Sequence, residues 1–201
     1  METIIFATKN KGKIREINAI LADMNVNVIS MEDAGITIDV VEDGTTFEEN
    51  SMKKAVQIME VSGKITLADD SGLEIDAMDK GPGVYSARFM GEDTPYPERF
   101  KAIFEKLDGV PEEKRTARFV SCIAAAFPDG RRLTTYDTVE GIIGYEVKGE
   151  NGFGYDPIFY YPPLGKTTAE LSSEEKNRVS HRANALNLFY TKLKEANYAD
   201  K

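Results

Sequence analysis

Thr3-Ile4-Ile5-Phe6-Ala7-Thr8, followed at once by Lys9-Asn10-Lys11-Gly12-Lys13, opens the chain with an apolar strand that runs into a polar turn. Beyond the turn, Ile14, Ile17, Ile20, Leu21 and Met24 recur at the spacing of one helix face, and Val26 to Ser30 is again β-branched and apolar. Strand, helix and strand in that order predict a β-α-β unit and hence an α/β fold. The turn has a chemistry of its own. A glycine, several lysines and a helix N-terminus together present backbone N–H groups and a positive dipole end to an anion. Lys13 falls in the first helical turn, where a cation opposes the dipole unless an anion lies between them. A solvated lysine turn would read the same way, and this segment does not separate the two.

Further along, Thr45-Thr46-Phe47-Glu48-Glu49 offers a capping box for a helix running to Glu60, with Met52, Ala55, Val56 and Met59 on its apolar face. Short strands are expected at 65–69 and 73–77, then a loop containing Gly81-Pro82-Gly83. A helix is expected from Pro97 to Leu107, and a hairpin from Arg118–Phe127 and Arg131–Val139 about Asp129-Gly130. A glycine-rich aromatic loop occupies 149–156. A final helix from about Ser180 to Ala196 carries the stripe Ala183, Leu186, Leu188, Phe189 and Leu193. No repeat or linker divides the 201 residues, so a single domain is expected.

Composition excludes several classes of function. The 25 basic residues against 34 acidic ones leave a net charge of −9, which disfavours a duplex-binding surface, so no nucleic-acid partner is expected. No apolar run reaches bilayer-spanning length, and Met1-Glu2-Thr3 does not begin a leader, so the expectation is a cytoplasmic protein with no membrane partner. Cys122, the only cysteine, lies in the apolar run Val120-Ser121-Cys122-Ile123-Ala124 and reads as core. With one cysteine and one histidine there is no ordinary zinc site, and a triad through His181 would lack a nucleophile elbow. Gly165-Lys166-Thr167 ends like a phosphate loop, but the glycine required five residues earlier is Tyr160. Gly152-Phe153-Gly154 begins like a dinucleotide fingerprint but meets Pro157.

Ala68-Asp69-Asp70-Ser71-Gly72-Leu73-Glu74 places adjacent carboxylates at the end of an apolar strand. Side chains alternate along a strand, so the two acids should face opposite ways and do different work. A hard divalent cation such as Mg²⁺ could use one of them. The dipeptide alone reads more readily as a turn cap before Gly72.

Taken in order, these blocks resemble the inosine triphosphate pyrophosphatase (Ham1-like) family. The resemblance rests on Ala7 to Lys13, Thr46-Phe47-Glu48-Glu49-Asn50 with Lys54-Ala55, Ala68 to Glu74, and Gly81 to Phe89. It continues through Gly152-Phe153-Gly154-Tyr155-Asp156-Pro157-Ile158-Phe159, Lys166-Thr167 with Ala169-Glu170-Leu171, and Glu175-Lys176 with Ser180-His181-Arg182. It implies a long twisted mixed sheet flanked by helices, two lobes with the active site in a central cleft, and a homodimer. The implied activity is Mg²⁺-dependent hydrolysis of inosine, deoxyinosine and xanthosine triphosphates to monophosphate and pyrophosphate.

By the same resemblance Asp70 is the general base and a metal ligand, and Glu42 the second metal-associated carboxylate. Lys13, Lys54 and Lys176 meet the phosphates, with Thr8, Lys9, Asn10, Lys11, Gly12 and Ser71 around them. Phe153 stacks on the base within the loop Gly154-Tyr155-Asp156, and Asp156, His181 and Arg182 address its 6-oxo edge. Asp69 then reads as structural. Two other readings remain open: a Maf-type pyrophosphatase for pyrimidine or modified nucleotides, and a non-catalytic purine nucleotide sensor.

Overall fold

The structure is a computed structural model that describes residues 2–21 and 26–195. The side chains of Glu2, Lys11, Glu16, Ile20 and residues 193–195 lie outside that description, as do the expected stripe positions Met24 and Leu193 and the expected helix end at Ala196. In chain order the main elements are β1 (Glu2–Phe6), α1 (Lys11–Ile20), β2 (Val26–Ser30), α2 (Phe47–Ser62), β3 (Thr66–Ile75) and β4 (Gly81–Pro82). They continue with α3 (Tyr96–Lys106), β5 (Thr116–Ala126), β6 (Arg132–Ile143), β7 (Phe159–Tyr161), β8 (Lys166–Thr167), α4 (Ser173–Val179) and α5 (His181–Glu195).

The strands form one mixed eight-stranded sheet in the order β2-β1-β3-β5-β6-β7-β8, with β4 beside β3. β1 pairs parallel to β2, Ile4 opposite Val28, and parallel to β3, Phe6 opposite Leu67, as a β-α-β opening requires. β7 pairs antiparallel with both β6 and β8.

The chain forms two compact units, the first drawn from Met1–Asp70, Ser121–Asp137 and His181–Lys201, the second from Ser71–Val120 and Thr138–Ser180. In the first unit the period of two along the strands sorts side chains into two cores. Ile4, Phe6, Leu67, Ile123 and Ala125 pack with Ile17 of α1 and Ala185, Leu186 and Phe189 of α5. Their sequence neighbours Ile5, Ala7, Ala68, Ala124 and Ala126 pack with Ala55 and Ile58 of α2. Each fully buried Ile or Leu contributes about 1.5–3 kcal/mol. In the second unit Leu73, Ile75, Ala117, Phe119, Val139 and Ile143 pack with Phe100, Ile103 and Leu107 of α3 and with Tyr155, Ile158 and Phe159.

α2 begins as expected, with Thr46 and Glu49 forming a reciprocal capping box, and ends at Gly63 in the left-handed conformation. Two expectations need correction, and one element was not foreseen. The two short strands around Asp69-Asp70 are one continuous β3, because Asp69 is met by Ser121 of β5 and by Lys13 and Arg182 of the helices, and Asp70 by Lys54 of α2, so no turn is needed to solvate them. In α5 it is Ala185, not the exposed Leu188, that completes the buried stripe. α4 was not expected at all: its only apolar residue is Val179, and its start is marked by the Ser172–Glu175 capping box.

Candidate active site

The alternation that divides the first unit's core also separates the two carboxylates. Asp69 shares parity with Leu67 and points to the side of α1 and α5. Asp70 shares parity with Ala68 and points to the side of α2.

On the α2 side, Asp70 is 6% exposed. Lys54 Nζ lies 4.0 Å from Asp70 Oδ1, 3.0 Å from Glu42 Oε1 and 2.9 Å from the Asp69 carbonyl oxygen. One ammonium therefore holds both the carboxylates that the resemblance assigned to a metal. Glu42 lies in the segment before α2, which is pinned when Gly44 N–H donates to Asn50 Oδ1 at 2.8 Å. Burial pushes the Asp70 carboxyl up to about 6, Lys54 and Lys13 only partly offsetting it while Glu42 adds to it. A carboxylate so placed is short of positive charge.

Two hard oxygen donors fit a hard divalent cation that takes its remaining ligands from water and a substrate's phosphates. Among the described residues no group of three or more His, Cys, Asp or Glu could form a self-sufficient cage.

On the α1/α5 side, Asp69 Oδ2 receives Lys13 Nζ at 2.7 Å and Arg182 Nε and Nη2 at 3.2 and 3.1 Å, while Ser121 Oγ donates to Oδ1 at 2.8 Å. Burial opposes the Asp69 charge, but Arg182 and Lys13 outweigh it and hold the carboxyl far below the ordinary range. Burial likewise lowers the Lys13 ammonium despite Asp69.

In the lysine turn, Asn10 caps α1, its Oδ1 accepting from Gly12 N–H and Lys13 N–H, and Thr8 Oγ1 accepts from Asn10 N–H. Those two helix N–H groups are therefore engaged by the turn itself. Lys9 forms an exposed pair with Asp39. His181 begins α5, 8% exposed beside the buried Ser180 and Arg182.

The second unit holds the remaining predicted residues. Asp156 Oδ2 accepts from Phe153 N–H at 2.8 Å and from Lys176 Nζ at 2.6 Å, and Asp156 Oδ1 accepts from Thr168 Oγ1 at 2.8 Å. Lys176 Nζ stands 4.7 Å from the Phe153 ring centroid. Lys176, Asp156 and Phe153 thus form one cluster, fed by the capped α4. Tyr155 is core: its hydroxyl donates to the Ser86 carbonyl at 2.8 Å, and its ring meets Tyr96 edge-on. Ser71 is half-buried on β3, and Gly154 adopts a positive φ in the loop.

Sequence reasoning did not find Ser121, Thr168 or Gly152. Only Gly152 left a trace, as the extra glycine ahead of Phe153. Cys122 is buried with its thiol pushed up to about 11 by burial, which suits core packing.

This chain matches the Ham1 family model over residues 4–192. The chain belongs to the Ham1 family. A relative from Desulforamulus reducens named dITP/XTP pyrophosphatase is 47% identical over 183 residues, 91% of each chain. The structure of the Ham1 protein of Staphylococcus aureus superposes with a TM-score of 0.86 at 40% identity, covering 97% of this chain and all of the other. A HAM1 protein from Coxiella burnetii gives 0.88 at 38% identity with the same coverage. The mixed sheet with flanking helices is therefore a Ham1-family fold, and the near-complete coverage spans both units of this Ham1-family chain.

Proposed function

We propose that this chain hydrolyses inosine, deoxyinosine and xanthosine triphosphates to the monophosphate and pyrophosphate, using Mg²⁺, and so removes deaminated purines from the nucleotide pool. The observation that carries this reading is the Asp70–Lys54–Glu42 arrangement in a family whose sampled relatives bear the name dITP/XTP pyrophosphatase. Glu42 and Asp70 would hold the cation, which when bound supplies charge neutralisation for the triphosphate.

The chemistry asked of the protein is limited. Water adds across the anhydride bond between the α and β phosphates, the bond to the bridging oxygen breaks, and pyrophosphate leaves with that electron pair. Asp70 accepts the proton that water gives up. In the metal-free protein burial pushes its carboxyl up to about 6, which raises its affinity for that proton. Lys54 and Lys13 offer fixed positive charge to the phosphates, as does Lys176 in the second unit. Phe153 stacks on the purine, and His181 with the loop around Asp156 reads the 6-oxo edge. An adenine amino group would leave such partners unpaired, which favours discrimination. We further propose that the two units are lobes of one domain and that the enzyme works in the cytoplasm as a homodimer. Among the described residues no helix is long and apolar enough to cross a membrane.

Pyrophosphate release from deoxyinosine triphosphate with Mg²⁺, measured for the wild type and Asp70→Asn, tests the reading. The expected loss in the variant is about 10²- to 10⁴-fold, the usual worth of a general base. Wild-type binding without release would instead support a sensor, and a preference for uridine triphosphate would support Maf-type chemistry.

A further inference from the structure

On the opposite side of β3 from Asp70 lies a set of buried charges of which the proposed hydrolysis uses only Lys13. Asp69 is 1% exposed and gathers Lys13 from α1, Arg182 from α5 and Ser121 from β5. Lys13 and Arg182 both stand in the first turn of their helices, where each opposes a positive dipole end, and they also repel one another. The carboxylate between them resolves all three conflicts. Its two oxygens are divided: Ser121 engages Oδ1, which leaves Oδ2 to receive both cations.

We propose that Asp69 is a positioning residue for phosphate binding: clamped by Arg182 and Ser121, it fixes the Lys13 ammonium so that its other N–H donors point in one direction. The proposal rests on the reading of Lys13 as a phosphate-binding residue. A free lysine stem carries rotamer entropy that binding would otherwise have to remove. Here the Lys13 side chain is only 15% exposed and already tethered at 2.7 Å, so that ordering is complete before substrate arrives. Arg182 thereby gains a partner on β3.

A double-mutant cycle separates positioning from scaffolding. The readouts are the Kd for Mg²⁺-tripolyphosphate and the KM and kcat for deoxyinosine triphosphate, in wild type, Asp69→Asn, Lys13→Met and the double variant. Asp69→Asn is expected to raise Kd and KM about tenfold with a smaller change in kcat, and to change Kd less than about twofold once Lys13 is methionine.

Equal fold-changes in both backgrounds overturn the proposal, as does unchanged Kd in Asp69→Asn. If Asp69→Asn does not fold, Asp69→Asn combined with Arg182→Met removes opposite buried charges together. It should bind tripolyphosphate as weakly as Lys13→Met does, and wild-type affinity in that variant overturns the proposal. Wild-type binding without pyrophosphate release from deoxyinosine triphosphate defeats the proposed function while leaving the cycle decisive. No wild-type binding defeats both.

Discussion

Asp69 and Asp70 are neighbours on β3 but have unlike partners: the first lies 2.7 Å from Lys13 on the α1 side, the second 4.0 Å from Lys54 on the α2 side. The pleat of the strand produces this division, and the environments then push the two carboxyls in opposite directions. Asp69 is enclosed by two cations and stays ionised as a fixed structural anion. Asp70 is buried with weaker compensation and keeps a proton affinity useful to chemistry.

The first prediction follows from Asp70 in the metal-free protein. Its carboxyl is pushed up to about 6 from an ordinary 3.8, so the folded state binds the proton more tightly than the unfolded chain. The folded state is therefore favoured most below about pH 4, and about 3 kcal/mol of that advantage is lost as pH rises through about 6. Asp69 shifts the other way, and its contribution is lost only below about pH 4. Urea unfolding between pH 4 and 7 with chelator present should show a falling component that is absent in Asp70→Asn. Parallel curves for the two proteins would count against the assignment.

Much of this was legible from residue order. The β-α-β opening, the α2 capping box and the opposite facing of Asp69 and Asp70 follow from periods of 3.6 and 2 and from cap chemistry. The continuity of β3 was hidden because Asp69-Asp70-Ser71-Gly72 has the composition of a turn. What overrides that preference is long-range: Ser121 is 52 positions from Asp69, and Arg182 is 113 positions away. Local propensity cannot register such partners. Arg182 illustrates the same limit in the site, since nothing in its local sequence announces a buried pairing with Asp69.

A second prediction concerns Lys54. Its ammonium stands beside both Glu42 and Asp70, so removing it leaves two carboxylates with less positive charge near them. Lys54→Met should therefore bind Mg²⁺ more tightly in the absence of nucleotide, by about tenfold, while pyrophosphate release slows. Calorimetric Mg²⁺ titration of the two proteins checks the sign. Weaker metal binding in the variant would show that Lys54 does not balance these carboxylates.

Tyr155 is predicted to matter for stability rather than turnover. Its hydroxyl gives the Ser86 carbonyl a buried hydrogen bond, and its ring sits in the second unit's core. Tyr155→Phe keeps the ring and leaves that carbonyl one donor short, at a cost of about 1–3 kcal/mol. Thermal unfolding should shift down by several degrees with kcat for deoxyinosine triphosphate little changed. A tenfold fall in kcat at unchanged Tm would instead give the hydroxyl a direct role.

Gly152 yields the most local prediction. Its φ is +77, and a Cβ added there would lie 2.2 Å from Asp156 Oδ2 and 3.1 Å from Lys176 Nζ. An alanine must therefore both adopt left-handed backbone and displace the carboxylate that receives Phe153 N–H and Lys176. The left-handed conformation costs about 1–2 kcal/mol, and weakening a buried hydrogen bond to a charged group about 1.5–3 more. Gly152→Ala should lower Tm by roughly 5–20 °C, since each kcal/mol is worth about 2–4 °C in a chain of this size. With Lys176 released from Asp156, the ammonium leaves its place over the Phe153 ring, so KM for deoxyinosine triphosphate should rise more than kcat falls. Gly152→Ala with unchanged KM would mean that the Asp156–Lys176 pair supports the loop alone and has no part in holding substrate.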